Sequence, residues 1–368
     1  MNYSYWELKE WFTNIDFTIV GSGIVGLNCA LELKKKYPKA KVLVLEKGML
    51  PQGASSKNAG FACFGSLSEL IDDLKTHTEQ EVFDLVKKRW EGLQLLRKNL
   101  GDKNINFLSN KGFELYKDAS LYEECFSQIS MVNQLIEPIF KENVFSESTN
   151  TFGFDNIQPY YTVNHFEGQI DTGKMVSELL LKVQKLGVKI LNNCSVQSFH
   201  ENNNSVTIQT NETTFSTNKL FVATNGFAKE LLQENVQPAR AQVLITKPIK
   251  NLHIKGTFHL EKGYYYFRNI DDRILFGGGR NLDFKGEETT EFGQSELIQA
   301  SLKRILQETI LPNIHFEIEH SWSGIMGVGN QKKAIVKPIS TNVFCGVRLG
   351  GMGIAIGSLV GKELAELI

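Results

Sequence analysis

Residues 16–48 read DFTIVGSGIVGLNCALELKKKYPKAKVLVLEKG. Phe17–Val20 is a short β-type apolar run, and Gly21-Ser22-Gly23-Ile24-Val25-Gly26 follows at once. Leu27 to Tyr37 has the spacing of an amphipathic helix and stops near Pro38, whose ring cannot continue one. Lys41–Leu45 is a second strand that ends in Glu46. The stretch is therefore a strand, turn, helix and strand with GxGxxG at the turn. Gly21 permits the tight turn, Gly23 lets backbone approach a pyrophosphate, and Gly26 lets the helix pack on the strand. The helix N-terminus offers free N–H groups and a positive dipole end to phosphates. Glu46, 25 residues after Gly21, is placed to accept hydrogen bonds from a ribose hydroxyl and disfavours a 2′-phosphate. That leaves NAD and FAD as candidates and sets NADP aside. Lys34-Lys35-Lys36 suits the negative end of the helix dipole.

The rest of the composition narrows the function classes. At roughly 150 residues per domain, 368 residues suggest two domains. Apolar residues at 42% and charged residues at 22% are those of a globular protein. Forty basic against 41 acidic side chains give a net charge of −1, which argues against nucleic acid as a partner. No apolar run reaches the length of about 18 residues that a membrane-spanning helix needs. The start, MNYSYWELKEWF, lacks the pattern of a signal peptide. The five cysteines, Cys29, Cys63, Cys125, Cys194 and Cys345, form no CxxC, so neither a disulfide framework nor a zinc site is expected and a reduced, cytoplasmic protein is. The seven histidines show no metal spacing, and no metal is expected. The 31 glycines are an ordinary total, but three fall within 21–26 and six within 346–361. Gly53, Gly60 and Gly226 lie between.

Leu50-Pro51-Gln52-Gly53-Ala54-Ser55-Ser56-Lys57-Asn58-Ala59-Gly60-Phe61 decides between the two dinucleotides. By composition alone it reads equally as a surface loop or as a segment running close along an extended cofactor. In the second case serine and asparagine bond phosphates, while Ala59 and Gly60 leave room for a flavin.

GxGxxG, the terminal acid Glu46 and Gly53-Ala54-Ser55-x-x-Asn58-x-Gly60, taken together, resemble the D-amino-acid oxidase, glycine oxidase and sarcosine oxidase family of FAD-dependent oxidoreductases. Glu167–Leu191, EGQIDTGKMVSELLLKVQKLGVKIL, is similar to the family's linker into a helix and strand. Leu220–Gly226, LFVATNG, resembles its return to the cofactor. Arg348–Gly357, RLGGMGIAIG, resembles its C-terminal glycine turn and helix. The resemblance spans nearly the whole chain, in family order. It implies an α/β fold: a Rossmann-like FAD domain of the glutathione-reductase type, with a second α+β substrate domain on a mainly antiparallel sheet. The FAD domain would be assembled from 14–80, 164–240 and 323–368, and the substrate domain from 81–163 and 241–322. FAD would be held by Gly21, Ser22, Gly23, Ile24, Val25, Gly26, Glu46, Lys47, Gly53, Ala54, Ser55, Ser56, Asn58, Ala59 and Gly60. Thr224, Asn225, Gly226, Arg348, Gly350, Gly351, Met352, Gly353 and Ile354 would complete the site. Val196 matches the place where the family contacts adenine through a backbone amide; it reads equally as a core strand residue.

Local patterns agree with such an organisation. Val82–Leu100, Glu123–Phe140 and Gln294–Ile310 are helical in spacing, and Ile105–Tyr116 reads as strand, turn and strand around Gly112. Gln242–Thr246, Gly263–Phe267 and Ile274–Gly278 are β-rich. Residues 1–13 form an aromatic extension with Tyr3, Tyr5, Trp6, Trp11 and Phe12; it is expected to pack on the body or at a subunit interface.

The resemblance also implies the chemistry: a hydride passes from substrate carbon to flavin N5, water hydrolyses the resulting imine, and oxygen or another acceptor reoxidises the flavin. The chain must then supply an apolar cage and a partner for a substrate carboxylate. Tyr264 and Tyr266 share one face of a strand and Tyr265 takes the other. Arg268 and Arg280 flank a strand and suit a bidentate carboxylate clamp, or surface ion pairs. Arg240 and Gln242 lie where the chain enters the substrate domain, and Trp322 and Met326 read as a cover for the flavin or as core. The family's covalent flavin uses a cysteine in a region where this chain has none between Cys194 and Cys345, so non-covalent FAD is expected. The family's arginine before a proline has no counterpart in 322–330, which sets a plain glycine, sarcosine or D-alanine substrate in doubt. The expected partner is a small-molecule amine or amino acid. A tRNA-modifying FAD oxidoreductase and a FAD-binding electron-relay subunit are the alternatives, the first disfavoured by net charge.

Overall fold

The structure, a computed structural model, describes residues 2–368. Two eight-stranded sheets organise it. In the first, Lys189–Leu191, Val42–Leu45, Ile15–Val20, Thr214–Val222 and Val343–Val347 lie side by side and parallel. Ile335–Pro338 adds an antiparallel edge, and Val196–Glu201 and Val206–Thr210 meander out of Thr214–Val222. Val42–Leu45 and Val343–Val347 are buried at every residue, as parallel strands covered on both faces must be. One face is covered by the helices Ile24–Lys36, Glu79–Leu100 and Gly353–Ala365, through Leu27, Leu31, Leu93, Leu96, Val360 and Leu364. The other is covered by the meander, through Val206, Ile208 and Phe215.

The second sheet runs Ile318–Val328, Gln237–Thr246, Arg273–Gly278, Tyr265–Ile270, Thr257–Leu260, Gly112–Leu115, Tyr160–Asn164 and Phe145–Thr149. Its pairs are antiparallel except Thr257–Leu260 with Gly112–Leu115. Phe154, Phe258, Phe267 and Phe276 form the core beneath the helix Glu296–Ile305. Register places Glu114, His259, Tyr266, Gly277, Val243 and Trp322 in one row across the strands. The α/β architecture expected from the sequence is thus the one observed.

Some boundaries differ. Residues 105–111 are no strand: Asn106 and Lys111 adopt positive φ (50° and 68°), which breaks the extended path, and Leu108 keeps a single bridge to Gln169. Leu93, Leu96 and Leu100 draw the helix Glu79–Leu100 into the core of the first sheet. Among the described residues no helix is long and apolar enough to cross a membrane. The five cysteines are free and buried.

Part of the N-terminal extension packs on the body. Trp11 and Phe12 lie half-buried against the meander core, Phe12 sits 5.5 Å from the Phe215 ring, and the Lys189 ammonium covers Trp11 at 4.9 Å. Tyr5 and Trp6 stay exposed, at 67% and 69%. Deletion of residues 2–12 is expected to lower the melting temperature. The double change Tyr5→Ala, Trp6→Ala should leave stability within about 0.5 kcal/mol. Thermal denaturation of the two variants side by side checks both.

Candidate functional site

Two adjoining clefts lie where the C-terminal ends of the parallel strands face the second sheet. They share Ala54, Asn58, Met326, Gly351 and Ile354. The first, of about 1130 Å³, opens beyond Val20, Leu45 and Ala223, the crevice in which open α/β sheets bind ligands. Gly21 turns at φ +104°, where a Cβ would meet Ala223 O at 2.8 Å. Glu46 is buried and accepts from Ser22 N (3.1 Å), Ser22 Oγ (2.6 Å) and Gly48 N (3.0 Å). The acid that ends the second strand therefore also clamps the glycine turn.

The loop after Glu46 is held onto this turn. Ser55 Oγ accepts from Ile24 N at 2.8 Å, which brings the loop against the helix N-terminus. Asn58 donates to Ala54 O and Ser55 O (3.1 and 2.9 Å) and accepts from Gly60 N (2.8 Å) and Thr172 Oγ1 (3.0 Å). From the C-terminal side, Asn225 Oδ1 accepts from Arg348 N (3.1 Å) and Leu349 N (3.2 Å), fixing the glycine turn that follows.

The fit to an extended dinucleotide can be judged on this groove. A Cβ on Gly53, Gly351 or Gly353 would find no heavy atom within 4 Å, so these three leave a shallow cradle open. Thr224 Oγ1, on the groove wall, is buried without a partner, a polar atom that needs a ligand. The helix N-terminus, the acid and the cradle fit FAD.

Seventeen of the sequence-predicted cofactor residues line this cleft: Gly21, Gly23, Ile24, Val25, Glu46, Lys47, Gly53, Ala54, Ser55, Asn58, Val196, Thr224, Asn225, Gly350, Gly351, Gly353 and Ile354. Ala59, Gly60 and Met352 line the second. Ser22, Gly26, Ser56, Gly226 and Arg348 line neither and act from behind the wall. Ser22 holds Glu46, Ser56 Oγ donates to Pro51 O at 2.5 Å, and Gly26 and Gly226 admit backbone from Gly21 and Met326. Arg348 corrects its sequence reading: its guanidinium donates to Lys333 O (3.1 and 2.9 Å) and Asn235 O (3.2 Å), away from both clefts. Cys194, Ser195, Phe227 and Leu349 line the first cleft without having stood out in sequence.

The second cleft, of about 1950 Å³, receives Tyr264, Tyr266 and Arg280, while Tyr265 points into the core. Arg280 stacks on Phe284, 4.7 Å away. Two arginines of the sequence reading stay out. Arg240 Nε and Nη2 donate to Glu287 Oε2 and Oε1 (2.9 and 2.8 Å), and Gln242 Nε2 donates to the same carboxylate at 3.0 Å. Arg268 is buried and donates to Ala59 O and to Ile170 O, the latter at 3.0 Å. Burial without a carboxylate partner pulls its pKa down to about 10. Arg268 therefore braces the loop that carries Ala59 and Gly60 and does not reach the cavity. Met326 lines both clefts. Trp322 instead donates to Lys57 O at 2.9 Å.

No local pattern marks the pair His259 and Glu167, which are 92 residues apart and meet at 2.7 Å, both buried. His259 lines the second cleft beside Phe61 and Cys63. Burial opposes its charge, but Glu167, then Glu69 and Glu114, outweigh burial and lift its pKa to about 9. Its folded value exceeds the ordinary 6.5, so its contribution to stability is full below about 6.5 and is lost as pH rises through about 9. The fall in melting temperature between pH 7 and pH 10 is therefore expected to be smaller in His259→Gln than in the parent. Burial pushes the Cys63 thiol well up, which keeps it protonated and unreactive.

Comparison with known proteins agrees with this geometry. The family described as FAD dependent oxidoreductase matches residues 16–367. The chain is 21% identical over 385 residues to the probable oxidoreductase OrdL of Haemophilus influenzae, covering 96% of this chain and 82% of that protein. Among solved structures, it is similar to glycine oxidase from Geobacillus kaustophilus, with TM-score 0.77, 18% identity, and 96% and 94% of the two chains covered. For L-proline dehydrogenase from P. horikoshii the TM-score is 0.76 at 19% identity, with 96% and 93% covered. At these identities the two structures speak to the fold alone.

Proposed function

The chain belongs to the family of FAD-dependent oxidoreductases, and from that premise we propose that it oxidises the C–N bond of an amine or amino acid with FAD held non-covalently. The observation that carries this reading is the opening of the dinucleotide groove, past Gly351 and Ile354, into a second cleft walled by Phe61, Tyr264, Tyr266, Met326 and Arg280. In this reading the first sheet carries the cofactor on 14–80, 164–240 and 323–368, and 81–163 with 241–322 supply the substrate side. Gly21, Gly23, Ser55 and the helix end would hold the pyrophosphate. Glu46 would hold the ribose beside Val196, and Thr224, Asn225 and Gly350–Ile354 the flavin end.

FAD, when bound, supplies the acceptor for the hydride leaving the carbon beside nitrogen. The chain's own residues do the positioning. Tyr266 and Phe61 press an apolar wall against the substrate and exclude water, which strengthens every polar contact inside. Arg280, whose charge has no carboxylate partner among the described residues, offers its fork to a substrate carboxylate. Arg268 holds the 59–60 backbone in place from behind.

An anaerobic screen of D-amino acids, N-methyl amino acids and polyamines tests the proposal: one class bleaches the yellow protein. Failure of every amine to bleach a protein that holds FAD would overturn it. Arg280→Met is expected to raise KM for a carboxylate-bearing substrate by about 10- to 100-fold with kcat little changed, because a charged hydrogen bond of this kind is worth about 1.5–3 kcal/mol.

A further inference from the structure

Of the basic side chains that line the second cleft, Lys262 and Lys332 are paired with Asp72 and Asp73 and Lys57 lies over the Phe292 ring, while Arg280 and His259 reach it from opposite sides of Tyr266. Arg280 follows Gly279 at the end of the strand Arg273–Gly278 and rests on Phe284. His259 lies on Thr257–Leu260, and the strand bearing Tyr266 separates the two. At about 4.8 Å per strand, their strands are about 10 Å apart. A Cβ on Gly277 would meet the Tyr266 ring at 2.7 Å, so the ring lies over this glycine and floors the space between the cations.

The imidazole is incompletely satisfied. Glu167 Oε1 takes Nε2 at 2.7 Å, and Nδ1 has no protein partner among the described residues. The groups around the ring do not supply one. Glu114 is occupied by Ser66 Oγ (3.0 Å), Ser68 N (3.0 Å) and Ser68 Oγ, and burial raises its pKa. Glu69 accepts from Ser66 N at 3.0 Å. Tyr266, with its pKa pushed up to about 12, is neutral, as is the buried Cys63 thiol. Phe61 meets the ring edge-on at 5.3 Å. An imidazolium has two N–H donors, and Nδ1 is not among the fully buried atoms left without a partner, so this second donor is open to the cleft that the residue lines. The cleft is the side from which an acceptor can come.

We propose that His259 and Arg280 together set the substrate class: an amine or amino acid carrying two anionic groups, one taken by the Arg280 fork and the other by His259 Nδ1–H. The chain joining the two groups crosses Tyr266. Glu167 acts as the positioning residue, since it fixes the ring with Nδ1 toward the cleft. This rests on the second cleft being the substrate site.

The test titrates the yellow holoprotein at pH 7 with butyrate and with glutarate by calorimetry, with the flavin spectrum recorded on the same sample. Glutarate is expected to bind about 10-fold or more tightly than butyrate, the worth of one charge-assisted hydrogen bond. In His259→Gln this advantage should shrink to about two-fold or less, with butyrate affinity nearly unchanged, since a neutral amide cannot replace the charged donor. The parent protein gives the same answer without a variant: the advantage should fade as pH passes about 9, where His259 loses its proton and Arg280 keeps its own. Equal affinities for the two acids in yellow protein at pH 7 would overturn the two-anion reading and leave the flavin reading standing. An advantage that survives both His259→Gln and high pH would overturn it as well.

Discussion

Gly26→Ala is expected to yield little folded protein and no bound FAD. A Cβ on Gly26 would collide with the carbonyl oxygen of Gly21 and lie 3.2 Å from Ile19 Cγ2. The obstacle is backbone at the one turn that cannot retreat, because Gly21 is pinned to Leu45 O through its N–H at 2.8 Å and abuts Ala223. Helix and strand would have to separate, at a cost on the order of 3 kcal/mol or more. Thermal denaturation and FAD content of the purified variant measure it. A melting temperature like the parent's would show that the helix does not rely on this close approach.

Gly351→Val should do the opposite. A Cβ there meets nothing within 4 Å, so the apo-protein should melt within about 0.5 kcal/mol of the parent. The new side chain fills the cradle between the two clefts, and FAD affinity is expected to fall on the order of 100-fold. Quenching of flavin fluorescence on reconstitution of the apo-protein reads this directly. Unchanged affinity would remove the C-terminal turn from the cofactor site. The two glycines thus separate what supports the fold from what leaves space for the ligand.

The glycine turn, its helix and Glu46 were legible because each requirement is local: a tight turn, a close helix and an acid at a strand end lie within 33 residues, 16–48. The second cleft was harder to read because strand register, which no short pattern encodes, assembles it. His259 sits in Thr257–Leu260, where all four residues are buried, so no alternation marks its face. Nothing local pairs it with Glu167. The arginines misled for another reason. A guanidinium serves a substrate carboxylate, a buried glutamate or a backbone carbonyl with the same donors. Arg240 takes the buried glutamate and Arg268 the backbone carbonyls, Arg280 faces the second cleft with neither, and only the folded chain separates them.

The first sheet also fixes an order of events during synthesis. Its parallel strands come from 15–45, 189–222 and 343–347, and Val343–Val347 must slide in beside Thr214–Val222 before the glycine turn at Gly350 can form. The nascent chain therefore holds an open strand edge and half a dinucleotide groove while residues 223–342 are being made. Contacts of such long separation close slowly, and an exposed parallel edge invites association with other chains in the meantime. Flavin capture is then a late step, and a scarcity of flavin would be felt first as aggregation of newly made chains, before any loss of turnover in those already complete.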